Sequence, residues 1–317
     1  MANSLLIVLA YNEAKNITQT IKELVNNFDK VLVINDKSND ETLNLLNQLS
    51  NEYKNIEVIT NKKNLGAGRS FQNAVQYIKD YSTENIVKID GDGQFDKEDI
   101  LRIKSILEND NAEYVKSNRF WDEGIQGKIP TIRYLGNSIA SLLIKFNTGL
   151  FSINDPLNGL FGFKKYVIKE IDIPKIFSRY GYPFYINSLV IRKNFLTVEI
   201  FNKVHYGKGE VSQLKAIPVF FKLIIFSITS FFKNISLKLK NSTLQISAIM
   251  DIVFITFQIV SYLFILKIFD IRFNDYPGSQ TNWLILFVIF QFFSYNIIYR
   301  SKIIENDFKI KFFNNLN

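Results

Sequence analysis

The chain has 317 residues, of which 47 % are hydrophobic and 21 % charged, so it holds enough apolar side chains for more than one folded unit. Its net charge of +8 suggests a nucleic acid, an anionic membrane or a phosphorylated substrate as partner. Long apolar runs beyond Gln213 favour the membrane over a nucleic acid. The absence of cysteine excludes disulfides and thiolate metal sites.

The N-terminal half alternates short apolar runs with amphipathic segments. The runs SLLIVLA, KVLVIND, IEVITN and ENIVKID predict four strands, and helical spacing of apolar residues follows the first three. Alternation in units of about thirty residues predicts an α/β fold with a mostly parallel sheet and helices on both faces. The first apolar run, Leu5 to Ala10, is too short for a signal peptide, so we expect this part in the cytoplasm.

Acidic residues follow two of these predicted strands. Asn35-Asp36 ends the second strand, and Asp90-Gly91-Asp92 ends the fourth. Ligands of parallel sheets bind at the carboxyl ends of strands, so both groups are expected on one edge. Two carboxylates around a glycine suit Mg²⁺ or Mn²⁺, and the glycine would let a ligand approach closely. The alternative is a solvated acidic turn, with Asp96 capping the next helix.

The region from Val115 to Leu214 has weaker patterns. YVKSNRF predicts a further strand that ends at Arg119, and IRYLGNSIASLLIKF predicts a helix. PLNGLFGF and LTVEIF are predicted as two more strands. We therefore assign residues 1–214 to a catalytic domain.

Residues 243–317 contain two predicted transmembrane helices. Ile246 to Phe269 is long enough to span a bilayer, which takes about 20 residues. Trp283 to Tyr299 is shorter and carries aromatic residues at its ends, as a membrane interface favours.

Residues 215–242 are predicted as an amphipathic helix in the membrane interface. Between Ala216 and Lys240, polar side chains share one stripe and apolar side chains lie opposite. A third transmembrane span is the alternative. The tail after Tyr299 has four basic residues, whereas the loop between the two spans has only Arg272. The positive-inside rule then keeps the tail in the cytoplasm, which requires an even number of spans, hence two.

Five short motifs occur in an order that resembles the family 2 glycosyltransferases of the GT-A fold. They are YNE at Tyr11, NDKSNDET at Asn35, NLGAG at Asn64, DGDGQ at Asp90 and NRF at Asn118. The chain is most similar to the polyprenyl-phosphate sugar transferases of the dolichol-phosphate mannose synthase type. The similarity extends through IRYLGN, DPLNGLFGF and YGKGEVSQL.

The resemblance implies roles for individual residues. The residues implied for binding the donor nucleotide sugar are Ala10, Tyr11, Glu13, Asn35, Asp36, Asp90, Gly91 and Lys208. Asp92 would coordinate Mg²⁺ or Mn²⁺ on the donor diphosphate, with Asp90 and Gln94 beside it. Arg119 and Arg133 would clamp an acceptor phosphate, which suits the planar guanidinium.

The expected activity is inverting transfer of a hexose from a UDP- or GDP-sugar to a polyprenyl phosphate, such as undecaprenyl phosphate, at the inner membrane of a bacterium. A phosphate acceptor is already anionic at neutral pH and needs no general base. One alternative is transfer to a hydroxyl of a glycan or lipid-linked oligosaccharide, with Asp155 as base. Another is a non-enzymatic membrane scaffold. The resemblance also suggests a homo-oligomer.

Overall fold

The computed structural model describes residues 4–110, 112–120, 131–148, 153–171, 177–193, 195–203, 216–240, 242–269 and 279–314. The described strands are β1 (Ser4–Ala10), β2 (Lys30–Asn35), β3 (Ile56–Thr60), β4 (Asn85–Asp90), β5 (Tyr114–Asn118), β6 (Phe161–Lys164) and β7 (Thr197–Phe201). The described α-helices are α1 (Ile17–Leu24), α2 (Thr42–Glu52), α3 (Ala67–Tyr77), α4 (Lys97–Asn109), α5 (Thr131–Thr148), α6 (Lys165–Lys169), α7 (Tyr182–Arg192), α8 (Ala216–Leu239), α9 (Gln245–Phe269) and α10 (Ser279–Asn314).

The seven strands form one sheet in the order β3-β2-β1-β4-β6-β5-β7. All neighbouring pairs are parallel except those of β6, which runs antiparallel to both β4 and β5. The predicted α/β class and the predicted strands are therefore confirmed. The prediction of a strand over the whole of PLNGLFGF was too long, because Pro156 to Leu160 forms the turn that leads into β6.

The central strands are buried on both faces, as parallel strands between two helical layers must be. Every residue of β1 is buried, and α1 packs Ile17, Ile21 and Leu24 into the same core. Two lysines, Lys88 in β4 and Lys116 in β5, are also fully buried. A buried ammonium is costly unless it is paired, so each of these side chains requires a partner inside the domain.

The chain divides into two compact units, and the sheet belongs to the first, which ends at Ile224. In the second unit α9 and α10 form an antiparallel pair. Ser247 bonds to Ser301 at one end of the pair, and Gln258 bonds to Gln291 further along. Among the residues that the structure describes, three segments are long and apolar enough to cross a membrane: Pro218–Leu239, Ser242–Leu263 and Thr281–Ile304.

Candidate functional site

The carboxyl ends of β1, β2 and β4 meet at one edge of the sheet. Ala10 lies opposite Asn35 in the register of β1 and β2, and Leu9 lies opposite Asp90 in the register of β1 and β4. The Gly91 amide donates to the Leu9 carbonyl, 2.8 Å away, so the chain beyond β4 stays beside β1. The expectation that both acid groups share one edge is confirmed.

The loops after β1 and β2 are joined by side chains that bind backbone amides. The Asn12 amide donates to Ser38 Oγ, and Asn12 Oδ1 accepts from the Asn39 amide, 2.8 Å away. The Glu13 amide donates to Thr42 Oγ1 at 2.8 Å. Asn12 is held at a φ of 59°, which asparagine tolerates better than most residues. The half-buried Tyr11 and Glu13 are thus carried on a fixed backbone.

Asn35 and Asp36 are buried and hold loops by their side chains. Asn35 Oδ1 accepts from the amide and the hydroxyl of Ser38, and its Nδ2 donates to Thr60. Asp36 accepts from Asn61 Nδ2 and from the amides of Leu65 and Gly66 at 2.7 to 2.9 Å. Asp36 therefore fixes the NLGAG segment, a structural role that the sequence did not reveal.

Asp90 is held by a lysine of its own strand. Lys88 Nζ lies 2.6 Å from Asp90 Oδ1 and 3.0 Å from the carbonyl oxygen of Gly159, and the Lys88 side chain is 0 % exposed. A Cβ on Gly159 would lie only 2.2 Å from Asp90 Oδ2. The carboxylate is therefore fixed between an ammonium and a glycine backbone.

Asp92 lies in the turn beyond β4, and its carboxylate accepts from the Gln94 amide at 3.1 Å. The turn continues through Gly93, at a φ of 72°, to Asp96, which occupies the N-cap position of α4 as the sequence predicted but forms no capping hydrogen bond through its side chain. Gly91 is buried, and a Cβ there would lie 2.8 Å from Ile17 Cδ1. Packing against α1 therefore explains this glycine without a ligand.

The fit of this site to a divalent cation can be tested on its donor atoms. Within the described residues no group of three acids or histidines could hold a metal ion. Mg²⁺ needs only one or two carboxylates when substrate phosphates complete its shell. Lys88 already binds one oxygen of Asp90. Asp92 is therefore the better placed of the two carboxylates to bind a cation. The donor set fits a cation that arrives with a diphosphate.

We predict that Gly159→Ala disrupts the site. The added methyl group must displace Asp90 Oδ2, so stability should fall by about 1–3 kcal/mol and the activity of the protein should fall at least tenfold. Gly136→Ala in α5 is the matched control, because a Cβ there meets nothing within 4 Å and alanine favours the helix. Thermal unfolding and turnover of both variants check the prediction, and equal activity would contradict it.

Arg119 and Asp155 form a buried ion pair beyond β5. Asp155 accepts from the Arg119 amide, Nε and Nη2 at 3.0, 2.8 and 2.7 Å. Asn137 and Asn158 also donate to this carboxylate. Burial acts to raise the pKa of Asp155, but the charge and hydrogen bonds of Arg119 outweigh it and leave that pKa below its usual range.

The contacts of Asp155 argue against the role of general base, which the sequence assigns to it only for a hydroxyl acceptor. Its side chain is 0 % exposed, and its oxygens already accept five hydrogen bonds from described residues. A base needs an oxygen that can reach the proton of its substrate. The residue has a φ of 45°, and its carboxylate binds the Arg119 guanidinium instead.

A second buried pair supports the same loop. Lys116 Nζ lies 2.8 Å from Glu199 Oε2 and also donates to the Asn154 carbonyl. Glu199 Oε1 accepts from Asn118 Nδ2 at 2.6 Å. Burial lowers the pKa of Lys116, although Glu199 and Asp155 oppose that shift. The loop from Asn154 to Gly159 is thus held by Lys88, Lys116 and Arg119.

Two predicted site residues lie outside what the structure describes. Arg133 belongs to α5, but its side chain is not among the described ones, and Lys208 lies in a segment that is not described.

Sequence patterns did not reveal the contribution of Lys88, Lys116 and Glu199 to the site. The available signal was a lysine inside a strand that is buried on both faces, since such a residue requires a counter-ion.

The chain belongs to glycosyl transferase family 2, whose model matches residues 5–172. It is 26 % identical over 179 residues to a UDP-N-acetylglucosamine–dolichyl-phosphate N-acetylglucosaminyltransferase of Methanococcus voltae, covering 52 % of this chain and 71 % of the relative. It is also 26 % identical to a dolichyl-phosphate beta-glucosyltransferase of Trichomonas vaginalis, covering 47 % of this chain and 49 % of the relative.

Solved structures show the same fold. Glucosyl-3-phosphoglycerate synthase of Mycobacterium tuberculosis in complex with UDP superimposes with a TM-score of 0.56 at 15 % identity, covering 73 % of this chain and 80 % of that chain. The same enzyme with Mg²⁺ and UDP superimposes with a TM-score of 0.54. The expected GT-A fold is confirmed.

Proposed function

We propose that this glycosyltransferase moves a hexose from a UDP- or GDP-sugar to a polyprenyl phosphate, with inversion at the anomeric carbon. The observation that carries the proposal is the ion pairing of two acids, Asp155 and Glu199, in the part of the chain that the structure describes. Asp155 is paired with Arg119, and Glu199 is paired with Lys116. Neither acid is placed as a base. The relatives named for dolichyl phosphate support an acceptor of this class.

The ion pairs of Asp155 and Glu199 favour an acceptor that reacts without a general base. A phosphate monoester is already an anion at neutral pH, so its oxygen can attack the sugar without transferring a proton to the protein. A hydroxyl would need a base within hydrogen-bond reach. Arg119, fixed by Asp155 and only 18 % exposed, offers its guanidinium to such an anion. Arg133 is proposed as its partner in that clamp.

The donor is proposed to bind over the joined loops after β1 and β2. Ala10, Tyr11 and Glu13 would contact the nucleoside, and Asn35 and Asp36 would support it through the loops they hold. Gly91 would pack behind this pocket, and Lys208 would reach the donor phosphates. We expect the nucleoside to approach the strand edge, where parallel sheets bind their ligands.

The diphosphate is proposed to bind as a complex with Mg²⁺ or Mn²⁺ held by Asp92, with Asp90 and Gln94 beside it. When bound, the cation would neutralise charge on the departing nucleoside diphosphate. The likeness to a synthase crystallised with Mg²⁺ and UDP supports this assignment. Asp90, fixed by Lys88, would line the same pocket.

We propose two membrane spans and an interfacial helix, with the catalytic domain at the cytoplasmic face of a bacterial inner membrane. Lys238 near the end of α8 lies 2.7 Å from Asp251, and Asp251 also accepts from Ser301. This buried polar cluster lies at the end of the α9–α10 pair nearest the basic tail. Charged groups are tolerated at the membrane boundary far better than at its centre.

We also propose a homo-oligomer, on the basis of the resemblance alone.

Single cysteines test this topology, because the native chain has none. With two spans, Ser279→Cys at the start of α10 should react with a membrane-impermeant maleimide in intact spheroplasts, and Asn314→Cys should react only after permeabilisation. Three spans would exchange the two results. Lys62→Cys on the catalytic domain is the control, since it should stay protected under both topologies.

The proposed activity is tested with the full chain in detergent. Undecaprenyl phosphate and labelled UDP- and GDP-sugars are supplied with Mg²⁺, with Mn²⁺ or with EDTA. We expect one donor to give an acid-labile lipid product that is lost in EDTA. Metal-dependent nucleotide binding without lipid product would favour a hydroxyl acceptor. Failure to bind any nucleotide would favour the scaffold.

A further inference from the structure

Lys88 is a buried lysine in the central part of the sheet. It lies opposite Ile7 of β1 and Phe161 of β6, and its side chain is 0 % exposed. An apolar residue at this position would fold without the cost of burying a charge, and buried ion pairs are often replaceable by hydrophobic residues without loss of stability. Folding alone therefore does not explain a lysine at this position.

The ammonium changes the charge of the acidic turn. Lys88 Nζ lies 2.6 Å from Asp90 Oδ1, and the other oxygen, Oδ2, faces the backbone of Gly159. Asp90 and Asp92 carry a formal charge of two negatives together, and Lys88 reduces the sum for the three groups to one. The same ammonium donates to the Gly159 carbonyl, so it also joins the acidic turn to the loop that carries Asp155.

We propose that Lys88 is a positioning residue that neutralises Asp90 and fixes its carboxylate, so that the divalent cation is bound chiefly by Asp92 and the donor diphosphate. The inference rests on the metal-dependent donor site proposed above. Its consequence is that removal of Lys88 strengthens cation binding while it slows sugar transfer. A purely structural lysine would weaken both together.

Charge arithmetic predicts an order of Mn²⁺ affinities. The formal charge of the three groups is minus two in Lys88→Met, minus one in the native chain and in Lys88→Met/Asp90→Asn, and zero in Asp90→Asn. Mn²⁺ affinity should fall in that order, by a factor on the order of five to ten for each unit of charge. Turnover should fall at least tenfold in Lys88→Met.

The experiment measures free Mn²⁺ by electron paramagnetic resonance as the cation is added to the full chain in detergent with UDP. Lys116→Met is the matched control, because it removes an equally buried ammonium that does not contact Asp90 in the described structure. Its Mn²⁺ affinity should equal that of the native chain. If Lys88→Met does not fold, the double variant and Asp90→Asn still test the order.

The inference is overturned if Lys88→Met binds Mn²⁺ no more tightly than the native chain, or if Lys116→Met shows the same gain. It is also overturned if the double variant binds as weakly as Asp90→Asn. Because the measurement uses no lipid, a failure to form any lipid product would reject the proposed function and leave this result intact.

Discussion

Replacing Asp92 by asparagine is expected to reduce sugar transfer by about a thousandfold. The amide keeps the volume of the side chain but removes the charge proposed to hold the cation, and the stabilisation supplied by a metal is several kcal/mol. About 1.4 kcal/mol corresponds to each tenfold of rate. Turnover at saturating donor and Mn²⁺ measures the effect.

Glu98→Gln is the matched control for Asp92→Asn. Glu98 is exposed in the first turn of α4, so its loss removes the same charge from nearby surface. Its activity should stay within about twofold of the native value, because exposed charges are screened. Full activity of Asp92→Asn would contradict the proposal that Asp92 holds the metal. If this variant fully replaced the native protein in cells, the non-enzymatic scaffold would be favoured.

Replacing Asp155 by asparagine is expected to destabilise the catalytic domain by about 3–5 kcal/mol, because it leaves the Arg119 guanidinium without its buried partner. The KM for the lipid acceptor should also rise at least tenfold, since Arg119 loses its fixed orientation. Thermal unfolding and acceptor-dependent turnover measure these effects. A normal acceptor KM with a fall in kcat alone, in a fully stable variant, would restore the general-base assignment.

The exposed pair of Lys193 and Glu170 provides the control for Asp155→Asn. Both side chains are exposed, at 46 % and 64 %, so Glu170→Gln should cost less than about 1 kcal/mol.

The pKa of Asp155 also predicts how the effect of Asp155→Asn on stability depends on pH. Since the pKa of Asp155 is lowered on folding, its contribution is complete above the ordinary carboxyl pKa of about 3.9 and is lost as pH falls further. The stability difference between the native chain and Asp155→Asn should therefore stay constant from pH 8 to about pH 5.

The sheet edge could be predicted because its signals are local. An apolar run that stops at an acid predicts a strand end, and parallel strands bring such ends together. This placed Asp36 and Asp90 on one edge, as the registers of β1 with β2 and β4 confirm. The position of Asp96 at the start of α4 was equally predictable from its own neighbours.

The partners of these acids could not be predicted, because they come from distant parts of the chain. Lys88 contacts Gly159, Lys116 contacts Glu199, and Asp155 contacts Arg119. The contacts of Lys88 and Arg119 depend on β6, which turns back between β4 and β5 and carries the preceding loop to the site. The contact of Lys116 depends on the parallel pairing of β5 with β7, in which Lys116 lies opposite Glu199. The sequence pattern does not specify the reversal at β6. The sequence therefore offered Asp155 as a base for a hydroxyl acceptor, whereas in the structure its carboxylate binds Arg119.

The most direct test of the central proposal is a competition between acceptors. The full chain receives its preferred donor with equal amounts of undecaprenyl phosphate and a lipid-linked oligosaccharide that presents free hydroxyls, and mass spectrometry identifies the product. We predict a single hexose on the undecaprenyl phosphate, joined through the phosphate oxygen and released by mild acid. Addition of the hexose to the oligosaccharide alone would contradict the proposed function.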